Sequence, residues 1–273
     1  MSDKDQLPLA QRSWEDLPGH WLLARLGKRV LRPGGLELTH RLLSAAGVTG
    51  ADVVELGPGL GRTAQDIGAL KPASYVGVDD SGAASARVQQ VVAATGGRTV
   101  HADAAGTGLD TASADVVVGE AMLTMQGAKA KREIVGEAFR VLRPGGRYAI
   151  HEMGLAPDTL AQSTKDAIRR DLARAIKVNA RPLTVREWTD LLTESGFEIK
   201  AVELAPMALL RPKRVIVDEG VVGALRIVGN VLAHPAARQR VLGMRNTFTR
   251  YREALTAVAI VAVVPGDPGR AMR

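Results

Sequence analysis

The stretch VVELGPGLGR, Val53–Arg62, runs from β-branched residues into three glycines and a proline, with one carboxylate, Glu55, just before them. In an open α/β sheet, ligands bind outside the carboxyl ends of the strands, and glycine lets the backbone approach a ligand that a Cβ would exclude. We therefore predict a ligand loop, followed by a helix from about Arg62 whose positive end points at the same place. The loop comprises Gly57, Pro58, Gly59 and Gly61. A plain tight turn is the alternative, because a glycine triplet alone is weak evidence.

Short apolar runs rich in β-branched residues alternate with helix-like segments around this loop. The predicted strands are Asp52–Leu56, Tyr75–Val78, Thr99–His101, Asp115–Val118 and Arg147–His151, and the helical segments between them include Gly82–Ala94 and Ala128–Leu142. This alternation predicts a parallel sheet covered on both faces, which is an α/β doubly wound domain.

Acidic residues follow the next two predicted strands. Asp79 ends the strand in YVGVDDS, where a carboxylate can accept both hydrogen bonds from a ribose diol, and Asp80 either shares that role or faces solvent. The third strand ends in HADA, where the carboxylate of Asp103 and the backbone of Ala104 can meet adenine. The sequence therefore predicts a bound nucleoside, and NAD would suit Asp79 equally well.

The spacing of the glycines separates two classes of cofactor. A dinucleotide fingerprint reads GxGxxG and sets a pyrophosphate on the helix N-terminus, whereas this chain reads GxGxG with Glu55 before it. A carboxylate near that position repels a pyrophosphate and attracts an ammonium or sulfonium group. S-adenosylmethionine carries both groups, so we predict it as the cofactor.

Five motifs follow one another between residues 50 and 153, namely VVELGPGLGR, VGVDDS, HADA, ADVVVGEAML and VLRPGGRYAIHEM. This ordered set resembles the motifs of the class I S-adenosylmethionine-dependent methyltransferases. Within that family, it most resembles the group that includes the quinone-biosynthesis methyltransferases. A weaker continuation, LTVREWTDLLTESGFEIKAVEL, is similar to the next helix and the sixth strand of that family. The resemblance implies a Rossmann-like, mostly parallel sheet of seven strands.

The resemblance also implies roles for individual residues. The glycine loop and Glu55 would lie under the methionine part of the cofactor, Asp79 would hold the ribose, and Asp103 with Ala104 would hold the adenine. Gly119 and Glu120, at the end of the fourth strand, would lie near the sulfonium and the acceptor.

The catalytic base is weakly marked in the sequence, because methyl transfer from a positive sulfur needs mainly alignment and the removal of one proton. His151 and Glu152 are candidates because they end the predicted strand in RYAIHEM, and histidine titrates near neutral pH. For His151, the alternative is a hydrogen-bonded strand-end residue without a proton role. His20 is a further candidate if the N-terminal region folds over the site as a lid.

Composition bounds the remaining choices. The chain of 273 residues is 46% hydrophobic, enough for one large domain with additions. It contains no cysteine, which excludes disulfides, thiolate metal sites and a cysteine nucleophile, and we predict no metal. The N-terminal sequence shows no secretory signal and no apolar run is long enough to span a bilayer, so we expect a cytoplasmic protein.

The net charge of +7 belongs to the C-terminal quarter, where Lys200–Arg273 holds twelve Lys and Arg against five Asp and Glu. There the predicted sixth and seventh strands, Phe197–Leu204 and Thr256–Val264, are separated by the long stretch Ala205–Leu255, where the family pattern has a short hairpin. We interpret this basic insertion as a cap whose cations face an anionic or amphipathic acceptor. A helical subdomain or a homodimer surface is the alternative.

The whole chain divides into a helical N-terminal lid (1–46), the cofactor-binding core (47–204), the helical insertion (205–255) and the last strand with a tail (256–273). Within the lid, the sequence of Ser13–Ala46 predicts helices that are interrupted by VLRPGG, Val30–Gly35. The same hexapeptide recurs at Val141–Gly146. We interpret the recurrence as turn chemistry rather than duplication. Pro157–Arg181 has the periodicity of an amphipathic helix that closes over the site with the lid.

The sequence thus predicts methyl transfer to oxygen, nitrogen or carbon of a small organic acceptor. The fourth strand ends in GEAMLT, without the Asn/Asp-Pro-Pro-Tyr motif of many enzymes that methylate exocyclic amines of bases or glutamine. A nucleic-acid-modifying methyltransferase that uses the basic C-terminal region is the alternative, weakened by an aromatic content of 3%. A nicotinamide-dependent oxidoreductase and a cofactor-binding protein without catalysis also stay open.

Overall fold

The structure is a computed structural model that describes Leu9 and residues 11–266, so parts of the predicted lid and tail lie outside the described residues. Its sheet has the strand order β3-β2-β1-β4-β5-β8-β7, with β6 paired to the end of β5. The strands are β1 (Asp52–Leu56), β2 (Ser74–Asp79), β3 (Arg98–His101), β4 (Ala114–Glu120), β5 (Leu142–Leu155), β6 (Leu183–Thr184), β7 (Glu198–Pro206) and β8 (Leu255–Val263). β8 alone among these runs antiparallel to its neighbours β5 and β7. The predicted Rossmann-like α/β sheet is confirmed.

Helices cover both faces of this sheet. They are α1 (Gly19–Arg25), α2 (Gly35–Ala46), α3 (Arg62–Ala69), α4 (Gly82–Val92), α5 (Ala128–Val141), α6 (Gln162–Ile176), α7 (Val185–Glu194), α8 (Pro212–Ala233) and α9 (Pro235–Arg250). α7 starts with a capping box, because the Thr184 side chain accepts from the Glu187 backbone N–H and the Glu187 carboxylate accepts in return from the Thr184 N–H. The predicted start of α3 at Arg62 agrees with the structure.

Buried apolar side chains fill both sides of the sheet. Ile134 of α5 and Trp188 of α7 pack on one face, and Leu42 of α2, Ile67 of α3 and Val88 of α4 pack on the other. The central strands are buried on both faces, which explains why they read as nearly continuous apolar runs.

The register of the central strands brings the ends of β1, β2 and β4 together. Leu56, the last residue of β1, pairs with Val78 on one side and Gly119 on the other. The next residues along those neighbours are the carboxylates Asp79 and Glu120, so both lie beside the loop that follows β1.

The two copies of VLRPGG have different structures. The first lies in an irregular segment between α1 and α2, and α1 ends at Arg25, earlier than predicted. The second ends α5 at Val141 and opens β5. The same six residues therefore lead into a helix in one place and form the first part of a strand in the other, so they do not mark a duplicated element.

A third apolar cluster lies above the carboxyl edge of the sheet. It joins Leu23 of α1, Leu172 of α6 and Met244 of α9. The N-terminal segment, the helix after β5 and the C-terminal helical pair thus pack together over the predicted ligand edge. In the part of the chain that the structure describes, no helix combines the length and the apolarity needed to cross a membrane.

Candidate active site

A cavity of about 370 Å³ opens at the carboxyl ends of β1, β2 and β4. Most of the residues predicted for the site line it, namely His20, Glu55, Gly57, Pro58, Gly59, Asp79, Asp80, Asp103, Ala104 and Glu120. The remaining predicted residues lie outside this lining, and they are Gly61, Gly119, His151 and Glu152. Within residues 11–266, no group of three His, Asp or Glu side chains is placed to hold a metal ion.

The loop after β1 needs its glycines. Gly57, Gly59 and Gly61 all have positive φ angles, of 65°, 54° and 76°, a region that other residues rarely adopt. A Cβ on Gly61 would lie 3.3 Å from Cγ2 of Val91, whereas one on Gly59 would meet only the Gly57 backbone oxygen, at an ordinary contact distance of 3.9 Å. The loop therefore leaves room above its backbone, as a large ligand in the cavity requires.

Asp79 connects β2 to the glycine loop. Its Oδ2 accepts a hydrogen bond from the Gly59 N–H at 3.0 Å, and its Oδ1 accepts from the Ser81 N–H at 2.9 Å. Burial raises the pKa of Asp79, and these two bonds oppose that rise because they favour the charged form. The remaining lone pairs of the carboxylate can accept from a ligand diol at the cavity wall.

The outer rim of the cavity carries two exposed carboxylates. Asp80 lies beside Asp79, and its backbone oxygen is 2.9 Å from Nε2 of His101. Asp103 accepts from the Ala105 N–H at 2.8 Å, which fixes the turn that follows β3. Both carboxylates remain accessible from the cavity.

Glu55 is a buried carboxylate at the floor of the cavity. Its Oε2 accepts a hydrogen bond from the Tyr75 hydroxyl at 2.6 Å. Burial raises the pKa of Glu55 to about 8, against the effects of that bond and of Arg32. Glu55 is therefore largely protonated at neutral pH, and a cation bound near it would favour its ionised form.

Glu120 is the centre of a buried polar network. Its Oε2 is 2.8 Å from Nε of Arg32, and the hydroxyls of Thr39 and Thr63 donate to its two oxygens at 2.5 and 2.6 Å. Burial alone would raise the pKa of Glu120, but Arg32 and His151 lower it to about 2. Glu120 thus stays ionised in the cavity wall, with its charge already compensated by the protein.

His151 lies inside this network and not in the cavity. The Gly34 N–H donates to its Nε2 at 3.0 Å, so the ring proton is on Nδ1, which lies 2.9 Å from Glu120 Oε1. Its side chain has no exposed surface. The prediction of His151 as the base disagrees with this geometry, because both nitrogens are occupied within the protein and neither reaches the cavity.

Glu152 is buried on the opposite face of β5. Its two oxygens accept from the N–H groups of Met122, Leu123 and Thr124 at 2.8 to 3.0 Å and from the Thr124 hydroxyl at 2.6 Å. Burial raises the pKa of Glu152, and these four donors oppose the rise. The prediction of Glu152 as a base also disagrees with the structure, because the carboxylate holds the turn after β4 and faces away from the cavity.

A second cavity, smaller and apolar, adjoins the first. Its volume is about 60 Å³, and its walls are mainly apolar side chains, including Leu23 of α1, Ile176 of α6, and Met244 and Phe248 of α9. The two cavities share the lining residues His20, Leu31, Ala121 and Met125.

His20 is the titratable side chain at this shared wall. Its Nδ1 is buried and has no hydrogen-bond partner among the residues that the structure describes. Burial lowers the pKa of His20 to about 4, so the ring is neutral over the physiological range. Because the His20 ring lines both cavities, a neutral imidazole there can accept a proton or a hydrogen bond from a bound molecule.

The insertion covers the apolar cavity without supplying it with charge. Met244 and Phe248 line the cavity, but none of the basic side chains described for residues 205–255 does. Arg240 donates to backbone oxygens of the N-terminal segment, Arg250 pairs with Asp171, and Arg245 lines a separate outer cleft. The insertion lies against this cavity through Met244 and Phe248, but the expectation that its cations face the acceptor disagrees with the lining of the cavity.

Arg32 is the functional-site residue that the sequence analysis missed. It belongs to the first VLRPGG, which we treated only as turn chemistry. The second copy offers a parallel, because Arg143 bridges Asp52 and Asp115 at 2.9 and 2.7 Å at the amino ends of β1 and β4. An arginine repeated in two turns of one chain was the available signal.

Comparisons with known proteins agree with this geometry. A family profile described as a methyltransferase domain matches residues 54–150. A protein of Haemophilus influenzae, described as uncharacterized, is 34% identical over 251 residues, covering 90% of this chain and 98% of the relative.

Solved structures share the fold at low identity. Phosphoethanolamine N-methyltransferase 2 of Haemonchus contortus, in complex with phosphomonomethylethanolamine and S-adenosylhomocysteine, is 19% identical with a TM-score of 0.68, covering 97% of this chain and 61% of that one. A Galdieria sulphuraria protein, assigned provisionally as a sarcosine dimethylglycine methyltransferase, is 17% identical with a TM-score of 0.65 and covers 84% of each chain.

Proposed function

The chain belongs to the class I S-adenosylmethionine-dependent methyltransferases, and from this premise we propose that it methylates a small apolar acceptor held in the apolar cavity. The observation that carries the proposal is the pair of adjoining cavities. One is bordered by carboxylates and by the glycine loop, and the other is walled by apolar side chains from three helices. A polar donor and an apolar acceptor each find a matching environment, and the two meet at one shared wall.

S-adenosylmethionine is the methyl donor. When bound, it would supply a methyl carbon activated by a positive sulfur, and attack of the acceptor atom on that carbon would release the sulfur as the thioether S-adenosylhomocysteine. In our proposal, Gly57, Gly59 and Glu55 hold its amino-acid part, Asp79 its ribose, and Asp103 with Ala104 its adenine. The open space above Gly59 and the free lone pairs of Asp79 support this fit. Asp80 stays at the rim, where solvent can reach it.

In our proposal, His20 orients the acceptor and takes its proton. As a hydroxyl gains a methyl group, its proton becomes far more acidic, so that even a weak base suffices to remove it. The position of the His20 ring, which lines both cavities, supports this role. Glu120 keeps its charge paired with Arg32 and so contributes to the shape of the cavity and not to proton transfer.

The lining of the apolar cavity favours a neutral acceptor over an anionic one. Polar atoms contribute little to its walls, and the cations of the insertion point elsewhere. The sequence motifs also resemble those of the quinone-biosynthesis methyltransferases. In our proposal this resemblance favours an apolar ring as the acceptor. The nucleic-acid alternative stays weaker because the chain has an aromatic content of only 3%, which leaves few side chains on which bases could stack.

Two measurements test the proposal. Calorimetry should show saturable binding of S-adenosylhomocysteine, and transfer of a radioactive methyl group should be detectable with small phenols and amines but not with the matching benzoates. We expect Met244→Trp, which fills the apolar cavity, to abolish transfer while S-adenosylhomocysteine still binds.

Leu242→Trp is the matched control, because Leu242 lies on the same helix with its side chain 48% exposed. It should leave both binding and transfer unchanged. Retained transfer in Met244→Trp, or equal transfer to benzoates, would exclude the apolar cavity as the acceptor site. The absence of S-adenosylhomocysteine binding to the wild-type protein would contradict the assignment of the larger cavity.

A further inference from the structure

The outer side of α8 exposes a stripe of large aliphatic side chains. Val221, Leu225, Val228 and Leu232 are 54 to 67% exposed, and their spacing places them along one side of the helix. Val222, beside this stripe, is 72% exposed. Exposed aliphatic residues scattered singly are ordinary, but a continuous stripe on one helix indicates a surface that binds something.

The acidic residues of α8 point inward. Glu219 accepts hydrogen bonds from the N–H groups of Arg29 and Val30 at 2.9 Å and lies 3.3 Å from Nζ of Lys28. Asp218, also buried, accepts from the Leu36 N–H at 3.2 Å. A helix on the surface of a globular protein normally buries its apolar side and exposes its charges. α8 is attached to the body of the protein through these two charges and through the buried Ala224 and Ile227, and it leaves a second aliphatic side free.

The charged groups near the stripe are cations. Between residues 207 and 250 the chain has only two acidic residues, the inward-facing Asp218 and Glu219, against eight Lys and Arg. Exposed basic side chains of this stretch include Lys213, Arg226 and Arg238. Aliphatic side chains flanked by lysine and arginine are the composition of helices that lie in the interface of an anionic bilayer.

A second copy of the chain is a poorer partner for this surface. In a two-fold dimer the same patch meets itself, so the basic side chains around the stripe would face one another. Like charges brought together across an interface disfavour association, whereas anionic lipid head groups would neutralise them. Charge complementarity therefore selects the lipid surface.

We propose that the outer side of α8 docks this protein on the surface of an anionic phospholipid bilayer. The helix lies in the plane of the interface, with Val221, Leu225 and Val228 in the acyl boundary and the neighbouring cations on the head groups. It does not cross the bilayer, because Gly220, with φ of 73°, interrupts it and Asp218 and Glu219 tie it to the body of the protein. This docking is independent of the acceptor that the enzyme methylates.

Co-sedimentation of the full chain with vesicles tests the proposal. We expect binding to vesicles that mix phosphatidylglycerol with phosphatidylcholine, weaker binding as salt rises, and little binding to phosphatidylcholine alone. The variant V221Q/L225Q/V228Q should bind at least about tenfold more weakly, since three aliphatic side chains no longer enter the acyl region. R226Q/R238Q should lower binding to the mixed vesicles by a factor of about 5 for each cation removed.

Val202→Thr with Leu204→Thr is the matched control, because these side chains of β7 are 39 and 51% exposed but lie away from α8. It should bind vesicles like the wild-type protein, and calorimetry with S-adenosylhomocysteine should show that every variant keeps its folded core. Equal retention of the wild-type chain on both kinds of vesicle would overturn the proposal. A dimer in light scattering that the triple variant abolishes, without vesicle binding, would overturn it in favour of a second copy.

Discussion

His20 combines three properties that are rarely found together in one histidine. It lies at the junction of two cavities, it is neutral at physiological pH, and its Nδ1 has no partner among the described residues. A buried polar atom without a partner is costly for stability, and such atoms in native proteins call for a functional explanation. Accepting a proton from the acceptor provides one.

Substituting His20→Phe should lower kcat by about 100-fold or more, because the proton acceptor is lost while the ring shape is kept. The affinity for S-adenosylhomocysteine should stay near the wild-type value.

The stability of the wild-type protein should fall as the pH decreases from about 6.5 towards 4, since the unfolded chain takes up a proton at His20 that the folded chain does not bind. Denaturant titrations at pH 5 and 7.5 should show a smaller loss in the variant, and an equal loss would contradict the pKa of about 4.

Glu55 should make the folded chain less stable as the pH rises. Its pKa is about 8 in the folded state against an ordinary 4.5, so between these values the folded chain must either hold the proton or ionise a buried group. We expect Glu55→Gln to raise the free energy of unfolding by about 1 to 3 kcal/mol at pH 8 and to change it little at pH 4.5. Guanidinium titrations of both proteins at pH 4.5 and pH 8 measure this difference in the free energy of unfolding.

The same variant should bind S-adenosylmethionine more weakly, because the amide carries no charge to match a cationic ligand. Glu203→Gln, on an exposed carboxylate that pairs with Arg41, serves as the control and should alter neither property by more than about 1 kcal/mol. A Glu55→Gln protein that is less stable at pH 8 than the wild type would show that Glu55 is ionised in the fold.

At the scale of single elements, β5 explains why two catalytic predictions disagree with the structure. The sequence analysis ended this strand at His151, but the strand continues to Leu155. Side chains alternate between the faces of a strand, so His151 points towards the buried network around Glu120 and Glu152 points to the opposite face. Neither residue is therefore at the carboxyl end of the strand. The sequence did not show this, because the residues that follow, Gly154–Ala156, do not indicate where the pairing of β5 with its neighbours stops.

The turn between β4 and α5 depends on the Glu152 carboxylate. Glu152→Gln would replace an oxygen that accepts hydrogen bonds with an amide that donates them, and would leave buried N–H groups of the turn without an acceptor. We expect a loss of about 2 to 4 kcal/mol in the free energy of unfolding. Binding of S-adenosylhomocysteine should weaken as well, because Met122 in this turn lines the larger cavity.

The two VLRPGG turns allow a matched comparison of two arginines. Arg32→Met leaves the Glu120 charge buried without its main partner, so it should destabilise the fold by about 3 to 5 kcal/mol and raise the pKa of Glu120. Arg143→Met breaks pairs in which each side chain is more than a third exposed, so it should cost about 1 kcal/mol or less. Equal losses in urea titrations would contradict the role given to the buried network.

At the scale of the whole molecule, local sequence predicted the sheet and the position of the glycine loop at its carboxyl edge. The β1 strand, the glycine loop and Asp79 depend on neighbouring residues in the chain, and the glycines do adopt the positive φ angles that made them informative. Contacts between distant segments were not predictable in this way. Arg32 meets Glu120 only after the chain has folded, and the side of the insertion that faces the cavity is chosen by packing and not by composition.

The hydrogen bonds that Glu219 accepts also affect the order in which parts of the protein fold during its synthesis. Arg29 and Val30 are separated from Glu219 by 190 and 189 residues. At translation rates of about 5 to 20 residues per second, this part of the amino-terminal arm leaves the ribosome roughly 10 to 40 seconds before its acceptor is synthesised. The central strands can pair during that interval, so the segment that carries Arg32 should settle into the pocket wall only after α8 has been synthesised.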